Sequence, residues 1–387
     1  MISKAKNFRF GLILFFVSIL PLYAQAEHKK QWEAHMQGFY SNLTGLLTDV
    51  CSDSRFYDVA NKKRIEAEVE QLASLAHSLP ETNDSKLNSD ALFPQTAAML
   101  KRQLEAAADE LKHGNRIYAR ALLRTIPSYC IACHTRNESG PQFAKLNFEP
   151  ASIMNKFERG EFFAASRQFD RALQEFLSVI ENPSEPGTNK LMWGKAIQEA
   201  LAVAVRVKKD PIVAKKIVQA LLKADGAPEF MREDAIVWNS SIDAWIAEKL
   251  IKNPSEEELF SSAKQLLAKA TELQKYPMDR NADIYYWRAS AVLHDLMQLA
   301  PNGAHSEEAL LLAGICYEVL NPLELEDIHQ IFYETCIRKS PHTSLANTCF
   351  NRLEASILSQ YSSVSGTDIT KNLLGRLQEL KALAQTK

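Results

Sequence analysis

Tyr118-Ala119-Arg120-Ala121-Leu122-Leu123-Arg124-Thr125-Ile126, followed after three residues by Cys130-Ile131-Ala132-Cys133-His134, decides how the chain is read. Tyr118, Leu122, Leu123 and Ile126 recur at the helical period, so one face of this segment is apolar. The helix then reaches two cysteines three residues apart and an adjacent histidine. Two thiols at that spacing reach the two vinyl groups on one edge of a porphyrin, and the imidazole that follows falls under the iron. This is the attachment pattern of a c-type haem, with Cys130 and Cys133 as the covalent anchors and His134 as the proximal iron ligand. A redox dithiol usually opens a helix after a strand, and no strand pattern precedes this pair. A zinc site needs a second Cys or His pair at ligand spacing, and none stands in the chain.

Working outward toward the N-terminus, three more helices are expected. The first spans roughly Lys29 to Val50. The second starts near Tyr57 and ends at Ser78-Leu79-Pro80, where proline cannot continue the ladder. After the polar loop Glu81 to Asp90, the third runs from about Pro94 to Lys112, with proline suited to its first turn, and His113-Gly114-Asn115 ends it. Four helices joined by short loops make an antiparallel bundle the expected arrangement of residues 27–138.

Ser139-Gly140-Pro141 opens a linker assigned to residues 139–153, and residues 154–387 form a second helical region. There Gly160, Phe163, Phe169, Ala172, Phe176 and Pro183 resemble the spacing of a tetratricopeptide repeat, in which small residues let two helices approach and aromatics fill the space beside them. Tyr286-Trp287-Arg288-Ala289 before Pro301 echoes it, as does Leu311-Leu312-Ala313-Gly314 with Tyr317 before Tyr333, Cys336 and Pro341. The resemblance implies a degenerate array of helical hairpins with a concave surface for a partner protein.

Composition agrees with an all-α protein. Thirteen glycines and 15 prolines are few for 387 residues, while 46% hydrophobic and 24% charged residues allow sizeable cores. A net charge of -2 removes any electrostatic case for nucleic acid. Lys4, Lys6 and Arg9 lead into the apolar run Phe10 to Leu20, and Ala24-Gln25-Ala26 offers a small-x-small cleavage site. Residues 1–26 therefore read as a signal peptide cut near Ala26-Glu27, which places the mature protein in the periplasm with no membrane span. In an exported chain, one disulfide among Cys316, Cys336 and Cys349 is expected, with Cys51 a lone thiol.

A four-helix unit with Cys130-Ile131-Ala132-Cys133-His134 near the end of its fourth helix, and Phe93-Pro94 through Gly114 before it, resembles the cytochrome c-prime family and its low-spin relatives. The likeness covers residues 27–137, under a third of the chain. It implies one covalently attached haem c and a side chain of helix one over the distal face of the iron. That side chain is methionine in low-spin members and apolar in five-coordinate, gas-binding ones. Met36 stands at the matching position; His35 is the neighbouring alternative, about 100° away around the helix. Where the family often carries an arginine for the haem propionates, this chain reads Lys30-Gln31-Trp32, leaving Arg120, Arg124 and Arg136 as candidates by proximity. Dimers are common in that family.

The remaining histidines form no ligand set. His77 and His113 sit at helix ends and read as surface or capping groups, and His294, His305, His329 and His342 are scattered. Tyr285, Tyr286 and Trp287 read as packing residues. No phosphate loop or nucleophilic triad stands out, so the expected role is electron transfer rather than enzymatic turnover, with a redox partner docked by the repeat region. Two alternatives remain open at this level. One is gas sensing at an open distal site; the other is a periplasmic scaffold to which the haem unit is ancillary.

Overall fold

Ile65, Val69, Leu72 and Ala76 recur every three or four residues, and in the computed structural model all four are buried on one face of a single helix, Lys62–His77. The structure describes residues 34, 36–77, 90–136, 154–182, 189–249, 251–320, 327–362 and 371–385, and every regular element among them is helical. The expected signal segment 1–26 and the expected linker 139–153 lie outside the described residues.

The first group of helices is α1 (36–50), α2 (Asp53–Tyr57), α3 (Lys62–His77), α4 (Phe93–Lys112) and α5 (Arg116–Arg136). The second long helix starts at Lys62 rather than near Tyr57. Residues 53–57 form their own short helix, and the Asp58 side chain accepts from the Ala60 amide to cap an intervening 3-10 turn. These local carboxylate and serine interactions compete with continuous helix, which apolar periodicity alone does not register. The four long helices alternate in direction. Arg64 at the start of α3 pairs with buried Asp49 at the end of α1 at 2.8 Å, Lys112 at the end of α4 meets Glu70 of α3 at 3.1 Å, and a three-residue turn returns the chain into α5. The expected stripe of α5 is buried: Leu122, Leu123 and Ile126 are all covered, whereas Tyr118 stays exposed.

The remaining helices are α6 (Lys156–Ala165), α7 (Phe169–Glu181), α8 (Lys190–Ala202), α9 (Pro211–Lys223), α10 (Glu229–Ala247), α11 (Glu256–Leu273), α12 (Asp283–Leu299), α13 (Ser306–Leu320), α14 (Ile328–Lys339), α15 (Ser344–Ser362) and α16 (Lys371–Ala384). Most pack against their neighbours in sequence as hairpins. In two hairpins a glycine makes the approach: a Cβ on Gly160 would overlap the ring of Phe176, and one on Gly314 the ring of Tyr333. Both rings are fully buried. A π turn, Val203–Val207, ends α8 and packs against α12.

The two groups of helices share one continuous core. Buried Arg120 of α5 pairs with Asp53, whose backbone N–H donates to Glu158 of α6 at 2.9 Å; Glu158 also closes the capping box with Asn155. Arg124 of α5 pairs with Glu161 of α6. At the other end α4 packs on α14. Residues of α6, α8, α12 and α13 face residues of α1 and α5 across one shared cleft.

Candidate functional site

Helix α5 is unbroken from Arg116 to Arg136, which sets Cys130, Cys133 and His134 on its last two turns. Pro127, one turn earlier, lacks the N–H that would bond the Leu123 carbonyl, yet the helix continues through it. Tyr129, immediately before the first cysteine, is fully buried. The side chains of residues 130–136, including Arg136, and the whole of His35 lie outside the described residues.

The register of α1 against α5 gives the relative backbone heights of Met36 and His134. Arg120 Nε donates to the carbonyl of Val50 at 2.8 Å, tying these points of two oppositely directed helices together. Fourteen residues back from Val50 is Met36, and fourteen residues on from Arg120 is His134. At 1.5 Å per residue both lie about 21 Å from that tie, on the same side of it, so they stand at the same height within about a helical turn. Met36 is half-buried and packs against the core. Thioether and imidazole are donor types that suit haem iron.

Two of the three arginines proposed from sequence are already engaged. Arg120 serves Val50 and Asp53, and Arg124 serves Glu161. Sequence reasoning missed Arg102 of α4. It lies near Tyr129, and burial, then the neighbouring Arg376 guanidinium, lower its pKa to about 10 against the pull of Glu334, Tyr129 and Asp327. Its hydrogen-bond partner is the Met99 sulfur at 3.6 Å, whereas Glu334 is held by Arg338 and Arg376. The groups that surround it, Arg376, Glu334, Tyr129 and Asp327, are distant in sequence, so no local signal marks it.

Just before the motif, α5 borders a cleft of about 230 Å³. Leu47, Val50 and Cys51 wall it on one side, with Arg124, Pro127 and Ser128 of α5; α6, the π turn, α12 and α13 wall the other. Burial pushes the Cys51 thiol up to about 11, although Arg124 and Arg120 pull it down, so it stays protonated at neutral pH.

The other histidines are occupied as packing and hydrogen-bonding groups. His113 Nδ1 lies 2.9 Å from the Asp109 carbonyl at the end of α4, and His77 is exposed 3.7 Å from Glu105. His294 Nε2 meets the Tyr317 hydroxyl at 2.8 Å, and His305 stacks on Phe260. Buried His329 bonds Ser356, and burial lowers its pKa to about 4. Tyr285, Tyr286 and Trp287 are buried packing residues of α12. Of the cysteines left open by sequence, Cys336 and Cys349 form a disulfide between α14 and α15, while Cys316 and Cys51 are buried free thiols. Among the described residues, no helix is long and apolar enough to cross a membrane. Comparison with protein-family models, with curated proteins and with solved structures returned no match to this chain.

Proposed function

We propose that the chain is a periplasmic electron-transfer protein: a four-helix c-type cytochrome unit with one covalent haem, joined to a tetratricopeptide-like helical array. The observation that carries the proposal is the register just described. The backbone of Met36 on α1 and that of His134 on α5 lie at similar heights from the Arg120–Val50 bond, which supports the reading. Cys130 and Cys133 would anchor the haem, and His134 and Met36 would ligate its iron. When bound, the group supplies a one-electron Fe(III)/Fe(II) couple, whose potential a thioether ligand raises.

The chain's own residues supply rigidity. Arg120 and Asp49 lock the base of the bundle, so α1 holds Met36 without being free to slide along α5. Arg124, Asp53 and Glu158 fasten the bundle to α6. The array thereby serves as a brace for the haem unit, and a redox partner docks on its outer surfaces. The Cys336–Cys349 disulfide suits an oxidising compartment and supports export.

The test is an absorption spectrum of the oxidised and reduced protein, with and without carbon monoxide, for the natural chain and for Met36→Ala. With both His134 and Met36 as ligands, the expected spectrum is low-spin and indifferent to the gas, and the substitution opens it to binding. Ready gas binding by the natural chain, with no change in Met36→Ala, would replace electron transfer by gas sensing.

A further inference from the structure

The cleft beside α5 contains a cation, Arg206, with no counter-ion among the described residues. Arg206 sits in the π turn, a helical irregularity that recurs at functional sites because it turns one side chain out of the regular register. Its Nε donates to Ser290 Oγ at 3.1 Å, and its guanidinium carbon lies 4.3 Å over the centre of the Tyr317 ring. Among the described residues no carboxylate stands within ion-pair distance of it, and its two terminal nitrogens have no hydrogen-bond acceptor. Arg124 in the same cleft differs, because Glu161 neutralises it. The Tyr317 ring is fixed in turn: its hydroxyl meets His294, and its face stacks on Phe332 at 5.1 Å.

We propose that this cleft binds a small amphipathic carboxylate, with Arg206 receiving the carboxylate and the apolar wall receiving the body. A guanidinium held at Nε and stacked on a ring presents its outer edge in the fork that matches two carboxylate oxygens. Val50, Leu320 and Ile328 line the same space, so a ligand that is charged throughout would leave them facing its polar atoms. The volume of about 230 Å³ falls below the roughly 300–1,000 Å³ of sites for drug-sized molecules, which limits the body to a single ring or a short chain. Neither the cysteines nor the histidine of the attachment motif enters the assignment, so it stands or falls independently of haem.

Calorimetric titration of the full chain with 4-phenylbutyrate tests it, with 4-phenyl-1-butanol as the uncharged counterpart. Saturable one-to-one binding is expected with Kd between about 10 μM and 1 mM, the range open to so few atoms. The alcohol and the variant Arg206→Gln should each bind at least about tenfold more weakly, the worth of a charge-assisted pair. Ala165→Phe, which fills the cleft and leaves Arg206 in place, should abolish binding and guards against misfolding of the first variant; thermal melting verifies that each is folded. No saturation by about 5 mM in the natural chain, or equal binding by the alcohol and the two variants, overturns the proposal.

Discussion

Asp283→Asn should alter how stability depends on pH. Asp283 is fully buried at the start of α12, and burial pushes its carboxyl from 3.8 up to about 7. Arg280 opposes the shift from 2.8 Å, although its Nε is not aligned for a hydrogen bond, and Asp234 and Asp279 add negative charge nearby. Because the folded state holds this proton more tightly than the unfolded chain does, the group favours folding most below about pH 4. That contribution is lost as pH rises through 7. At about 1.4 kcal/mol per pH unit, the ionised carboxylate costs up to about 4 kcal/mol near pH 8. Asparagine removes the titration but also the pairing with Arg280, so the net gain at pH 8 is about 1–3 kcal/mol. Urea unfolding of both proteins from pH 4 to pH 8 checks this, with their difference as the readout. Asp234, which burial raises to about 6, titrates in both and largely cancels. The variant should gain on the natural chain steadily between about pH 4 and 7 and then hold level. A difference that does not vary with pH would refute the reasoning.

Three further outcomes follow from the packing. Gly160→Ala should cost about 1–3 kcal/mol despite alanine's better helix propensity, since the new methyl overlaps Phe176; Phe176→Leu in the same chain should recover part of the loss in a thermal melt. Replacing Cys336 and Cys349 together by alanine should cost about 3 kcal/mol, the loop-closure entropy for a separation of 13 residues, measured by denaturant titration. Thiol-reagent counting on the folded protein should leave Cys51 and Cys316 unmodified until denaturant is added, because burial holds both thiols protonated.

Much of the helical layout was legible because its signals are local. Ile65, Val69 and Leu72 declare a buried face by spacing, Pro94 marks a first turn, and Gly160 with Phe176 announces a close crossing before any coordinate is known. Likewise, Cys336 and Cys349, thirteen residues apart across one turn, were among the few cysteines able to pair. What escaped depends on contacts distant in sequence. Nothing near Arg120 announces that its guanidinium will bond a carbonyl 70 residues away, and nothing near Arg124 announces Glu161. Repeat spacing describes hairpins and carries no information about which other helices pack beside them. Arg206 and the π turn leave no trace in apolar periodicity, since Val203–Val207 is one apolar run interrupted by a single arginine.

The most direct measurement is the intact mass of the exported protein, made in a host competent for cytochrome maturation and denatured before analysis. The expected result is the chain cut near Ala26-Glu27 with the mass of one haem added, and that addition lost in Cys130→Ala/Cys133→Ala. A mass equal to the bare polypeptide, or a haem released on denaturation, would contradict covalent attachment and the electron-transfer role together.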